Sequence, residues 1–175
     1  MRKLQILEMD RLTVDEFKRK KKIPIEIVLD NIRSFNNVGS FFRTADALGI
    51  GKIYLCGITP CPPHREITKS ALGAELSVDW EQHPDSTVLV NDLKAQGYQI
   101  LSIEQAEGST HLQEFIPDPD KKYALVFGNE VEGVMDEIIA VSDYCIEIPQ
   151  FGTKHSFNVS VSGGIVMWEL VKHYF

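Results

Sequence analysis

The chain has 175 residues, 43% of them hydrophobic, which is one domain's length with enough apolar material for a single ordinary core. No apolar run approaches the roughly 20 residues a membrane-spanning helix needs, and the polar start MRKLQILEMDRLTVDEFKRKKK lacks the core of a signal peptide, so a cytoplasmic protein is expected. A net charge of −7 argues against a nucleic-acid partner, and three cysteines without a CxxC pair (Cys56, Cys61, Cys145) favour neither disulfides nor a metal.

The distribution of charge changes that reading. Residues 1–22 hold eight Lys/Arg against four Asp/Glu, leaving ten against twenty-one for the rest. The run Lys18, Arg19, Lys20, Lys21, Lys22 is either a solvated helix face or an electrostatic footprint for RNA. Residues 1–22 are therefore read as a basic, helical N-terminal extension. Thr13 with Glu16 three positions on makes a capping box, and Pro24 ends the helix.

From residue 23 a single domain is expected. Ile25 to Leu29 reads as a buried strand, followed by the polar loop Asp30 to Asn37. From Val38 the period becomes helical through Phe41, Phe42, Ala45 and Leu48, and Gly49 supplies the stop. Ile53 to Cys56 reads as a strand, Ile67 to Leu72 as a helix, and a short strand falls near Val78. A helix across Val88 to Ala95 precedes the strand Tyr98 to Ile103. Glu104 to Lys122 is polar, with Pro117 and Pro119, and is expected to be a loop holding a short helix around His111 to Phe115. Tyr123 to Phe127 (strand), Val134 to Val141 (helix), Cys145 to Ile148 (strand) and Asn158 to Tyr174 (helix) complete an α/β chain with a mostly parallel sheet.

Ligands of such sheets bind beyond the carboxyl ends of the strands, and three polar stretches follow strong strands here. They are NIRSFNNVGSFFRTADALG, LVFGNEVEG and IEIPQFGTKHSFNVSVSGG. Each has a bland reading: Asn36 and Asn37 as helix caps, Gly128 and Gly133 as turn formers, Ser156 or Asn158 as an N-cap. No Gly-x-Gly-x-x-Gly and no phosphate-loop lysine is present.

Together the three stretches resemble, in order and spacing, the three motifs of the SpoU family of the SPOUT methyltransferase superfamily. The resemblance rests on Asn37 with Arg43, on Phe127-Gly128-Asn129-Glu130 with Gly133, and on Ile148-Pro149 with Ser156-Phe157-Asn158-Val159-Ser160-Val161. Lys69 to Glu75, KSALGAE, resembles the region between the first two motifs. It covers about residues 25–175, and Phe157 stands where leucine is commoner. The resemblance implies an α/β domain with a C-terminal deep trefoil knot, S-adenosyl-L-methionine as cofactor, and a homodimer whose active site uses both subunits. The activity implied is methylation of a ribose 2′-hydroxyl in structured RNA, transfer or ribosomal.

It also assigns roles. Arg43 is the essential arginine; because a guanidinium is a poor base, orientation and charge stabilisation suit it better than proton abstraction. Asn37 positions Arg43 or the ribose, Glu130 orients those donors, and Ser156 and Asn158 shape the reacting end. Ile103, Gly128, Ile148 and Phe157 meet the cofactor. RNA is expected over Arg33, Arg43, Arg65, Lys154 and His155, with Lys20, Lys21 and Lys22 adding affinity. Competing readings are a catalytically inactive RNA-binding or assembly factor on the same fold, and a base methyltransferase of the superfamily.

Overall fold

A computed structural model describes residues 1–5 and 8–175. Helix α1, Val14–Arg19, opens with the expected capping box: the Glu16 N–H donates to Thr13 Oγ1 at 3.3 Å, and the Thr13 N–H donates to the Glu16 carboxylate at 2.8 Å. Phe17 from this helix is buried in the main core, so the extension is docked onto the domain.

Seven strands form one sheet in the order β3-β2-β1-β6-β4-β7-β5, and every pairing between them is parallel. The strands are β1 Ile25–Asp30, β2 Lys52–Cys56, β3 Asp79–His83, β4 Tyr98–Ile103, β5 Thr110–His111, β6 Lys122–Phe127 and β7 Tyr144–Glu147. Alternation along β1 shows why both faces are covered. Ile25, Ile27 and Leu29 belong to the core under helices α2 (Phe35–Leu48), α3 (Arg65–Ala71) and α7 (Val159–Val171). Val28 points the other way, into a second core with Leu89, Val90 and Leu93 of α5 (Ser86–Ala95) and Ile138 of α6 (Asp136–Val141). The result is a three-layer α/β/α sandwich, the packing that buries near-continuous apolar strands such as β1 and β6.

Some boundaries differ from the sequence pattern for local reasons. Helix α2 begins at Phe35, three residues before its apolar period, because Ser34 Oγ caps it by accepting the Asn37 N–H at 3.3 Å. Asn36 and Asn37 are thus inside the helix. Gly49 ends it at φ +74. A short helix α4, Ala74–Ser77, follows Leu72 and Gly73, both at positive φ. Between β4 and β6 the short helix expected near His111 is β5 and a single 3-10 turn, Leu112–Glu114.

Close helix packing depends on two glycines. A Cβ on Gly39 would lie 2.0 Å from Ser70 Oγ and 2.5 Å from the Ile67 carbonyl, so α2 and α3 meet backbone to backbone. A Cβ on Gly163 of α7 would lie 2.3 Å from the Phe41 ring of α2. No helix among the described residues is long and apolar enough to cross a membrane.

Candidate active site

The order of the strands places the carboxyl ends of β6, β4 and β7 side by side, and a cleft of about 470 Å³ opens there. Its apolar wall is Ile103, Phe127, Ile146, Ile148, Phe157 and Val159; its polar groups include Glu104, Gln105, Glu130, Ser156 and Asn158. Ile103, Gly128, Ile148 and Phe157, the four residues expected to meet a cofactor, all line it.

Gly128 is required there for a reason internal to the chain. A Cβ at this position would stand 2.1 Å from the Gly133 carbonyl, because the loop closes on itself: Asn129 N–H donates to Gly133 O at 3.0 Å and Gly133 N–H donates to Asn129 O at 2.9 Å. The Asn129 amide also donates to the Asn31 carbonyl at 2.8 Å, fastening this loop to the end of β1.

Three distant segments meet at Asn37. Its Nδ2 donates to Glu130 Oε1 at 3.1 Å, while its Oδ1 accepts from Asn158 Nδ2 at 3.2 Å and from Ser160 Oγ at 3.3 Å. Asn37 is buried and both ends of its amide are engaged. Glu130 in turn accepts the backbone N–H groups of Arg33 (3.0 Å) and Ser34 (3.1 Å), capping the start of α2 from outside the helix. Desolvation opposes ionisation of Glu130, but these backbone donors and Asn37 outweigh it and hold the carboxyl below its ordinary pKa. A carboxylate held ionised in this way is a positioning group and a weak base. Asn158 is the N-cap of α7, its Oδ1 accepting from Ser160 N–H at 2.9 Å, and it reaches Asn37 at the same time. Capping and site assembly are one role here. Ser156 is exposed on the cleft rim.

Arg43 is not among the cleft-lining residues of its own chain. Six residues after Asn37, it lies about 120° around the helix from it. It falls on the outward face of α2 with Asn36 and Ala47, exposed, and the hydrogen bonds of the Asn37 amide go to Glu130, Asn158 and Ser160 instead.

The basic residues fall into two groups. Arg33 and Arg65 are exposed near the start of α2, where His64 stacks on Phe35 with ring centroids 4.0 Å apart; Lys154 and His155 are exposed in the loop before α7. All four lie at the carboxyl ends of the strands. Lys20, Lys21 and Lys22 precede β1 and so lie at its amino end, about 20 Å away for a six-residue strand. Lys22 is also occupied. Its ammonium donates to the Phe17 and Lys20 carbonyls and sits 4.2 Å over the Phe17 ring, and burial lowers its pKa.

Glu104 and Gln105 belong to no motif of the sequence, and Ser160 stands in the third motif without an assigned role. Glu104 accepts from the Val134 N–H at 3.0 Å and the Gln105 N–H at 2.8 Å, joining the β4 and β6 loops across the cleft floor. Its only sequence signal was an acidic residue directly after a strand. Among the described residues no group of His, Cys, Asp and Glu is arranged to hold a metal.

The family model described as the SpoU rRNA Methylase family matches residues 24–168. The chain belongs to this family. It is 28% identical over 162 residues to the tRNA (guanosine(18)-2′-O)-methyltransferase of Thermus thermophilus, covering 93% of this chain and 81% of that one. Among solved structures, AdoMet-bound rRNA methyltransferase from Sinorhizobium meliloti superposes with a TM-score of 0.81 at 26% identity, over 93% of this chain and 60% of that one. The A. aeolicus TrmH/SpoU tRNA modifying enzyme gives 0.79 at 28% identity, over 91% and 80%. This SpoU member therefore spans about four fifths of the T. thermophilus and A. aeolicus proteins and 60% of the rRNA methyltransferase's length.

Proposed function

We propose that this SpoU-family chain transfers a methyl group from S-adenosylmethionine to a ribose 2′-hydroxyl of a structured RNA, transfer or ribosomal. The observation that carries the reading is the Asn37 junction. It locks the arginine-bearing helix, the β6 loop and the start of α7 around one cleft at the strands' carboxyl ends.

The cleft fits the cofactor by size and by charge. Its volume is in the range of small-molecule sites, Ile103, Ile148 and Phe157 offer apolar surface to an adenosyl group, and Glu104 and Glu130 set negative charge near a cation. The bound cofactor supplies an electrophilic methyl on a sulfonium. The protein's part is to exclude water, align the hydroxyl and stabilise charge developing on its oxygen. Arg43 suits the last two tasks, because its planar fork can meet a hydroxyl and a phosphate together. Ser156 and Asn158 shape the reacting end.

A homodimer belongs to the same reading, as does a C-terminal trefoil knot. Arg43 stands outside its own cleft, which is the position expected of a residue delivered to a partner's site. Helix α7 offers an apolar face for the pairing: Val161 is 49% exposed, Ile165 37% and Trp168 54%. Residues 23–175 are the catalytic domain and 1–22 its N-terminal extension, working in the cytoplasm.

The deciding experiment incubates the protein with radiolabelled S-adenosylmethionine and unmodified transfer and ribosomal RNA transcripts, then maps the label by nuclease digestion and mass spectrometry. Label on a ribose 2′-oxygen is expected. Label on a base, or none on any RNA, overturns the proposal.

A further inference from the structure

The loop between β7 and α7 has feet and a crest with different chemistry. Gln150 and Ser156, the feet, line the cleft, whereas Phe151 to His155 between them are all exposed. The crest is held in place at its far end. The His155 carbonyl accepts from Gln105 Nε2 at 2.8 Å and from Gln150 Nε2 at 3.4 Å, so the loop is tied both to the segment after β4 and back to its own start.

Phe151 is 97% exposed at the head of this anchored loop. Leaving a whole aromatic ring in water forgoes burial that every core phenylalanine of the chain obtains. The residues that follow it in the loop, Gly152, Thr153, Lys154 and His155, are none of them apolar, and among the described residues Lys154 makes no ion pair. A ring followed along its loop by cationic and hydrogen-bonding side chains differs from the apolar face of α7, which Val161, Ile165 and Trp168 form. Interface cores between protein copies are depleted in lysine. A flat π-face next to positive charge is instead the combination that takes up an unstacked nucleobase and its phosphate.

We propose that Phe151 is a stacking platform for a base of the RNA, held at the cleft mouth by the Gln105 and Gln150 clasp on His155, with Lys154 meeting the adjoining phosphate. The inference rests on the RNA methyltransferase reading above. It makes Phe151 a substrate-positioning residue without a part in the methyl transfer itself.

The test uses the full chain and in vitro-transcribed, unmodified transfer RNAs as the probe. Phe151→Ala should weaken RNA affinity by about tenfold or more, the scale of one lost base–aromatic stack, and raise KM for RNA with cofactor affinity unchanged. Phe151→Trp should restore binding, and its new indole fluorescence should be quenched when RNA is added. Phe151→Leu should stay close to the alanine variant, because it keeps apolar volume but loses the π-face. Unchanged RNA affinity in Phe151→Ala, or full rescue by leucine, overturns the proposal. A shift of Phe151→Ala from dimer to monomer would overturn it in favour of a contact between copies. A wild-type protein that methylates no RNA would remove the functional reading itself, whereas active wild type with an indifferent Phe151→Ala removes only this inference.

Discussion

Arg43 and Asn37 come from one sequence motif, yet the structure gives them opposite circumstances. Asn37 is buried with both ends of its amide hydrogen-bonded; Arg43 is exposed. Arg43→Ala should therefore fold and bind cofactor nearly as wild type while losing about a hundredfold or more in single-turnover methyl transfer, the scale of a removed electrostatic group. Arg43→Lys should recover little, since an ammonium lacks the planar fork. Near-normal single-turnover rates in either variant would show that Arg43 has another role. Glu130 makes the complementary case. Its folded-state pKa lies below its ordinary value, so ionisation favours the fold above that ordinary value, and the contribution disappears as pH falls through the lowered one. Glu130→Gln should cost roughly 1 kcal/mol near neutral pH, modest because the carboxylate is exposed to solvent. Melting curves from neutral to acid should converge for the two proteins; a gap that widens in acid would contradict the assigned ionisation.

At the scale of elements, the site depends on how closely α2 approaches its neighbours. Gly39 lets α2 lie against α3 at the turn that follows Asn37, and a methyl there has no room beside the Ile67 carbonyl. Gly39→Ala should destabilise the protein by about 1–3 kcal/mol through overpacking, although alanine is the better helix former. Chemical denaturation is the direct measurement, and a neutral or stabilised variant would mean that α3 moves away freely. The same displacement would carry Asn37 from Asn158, so cofactor affinity should fall together with stability.

For the whole molecule, two surfaces decide how the chain meets partners. Trp168 and Ile165 lie on the outward face of α7, and Trp168→Glu should turn a dimer into a monomer in sedimentation experiments without unfolding the chain, since the ring is largely exposed. A variant that stays dimeric would place the interface elsewhere. The second surface concerns RNA. Lys154 and Arg65 share the carboxyl pole with the cleft, whereas Lys20 and Lys21 are at the amino pole. Replacing Lys154 and Arg65 with Gln should lower the slope of log K against log salt by about 0.7 per lost contact on a single strand, and the Lys20 and Lys21 pair should matter less. Equal effects would require an RNA that spans both poles.

The alternation of β-branched runs with helical periods was enough to predict an α/β sheet, because apolar periodicity reports which faces must leave water. The capping box at Thr13, the stop at Gly49 and the strand Tyr98–Ile103 were legible for the same local reason. The resemblance to the SpoU family also pointed to the cleft-lining residues Ile103, Gly128, Ile148 and Phe157. Contacts between segments far apart in the chain were not legible. Ser160 completes the Asn37 junction and Glu104 joins two loops, but nothing adjacent to either residue signals a partner 123 or 30 positions away. The order of the strands, the separation of Arg43 from its own cleft and the distance of Lys20–Lys22 from it were likewise decided by tertiary structure. Local propensity acts within a few residues, whereas the parallel pairing of β6 between β1 and β4 sets which loop ends share a pole.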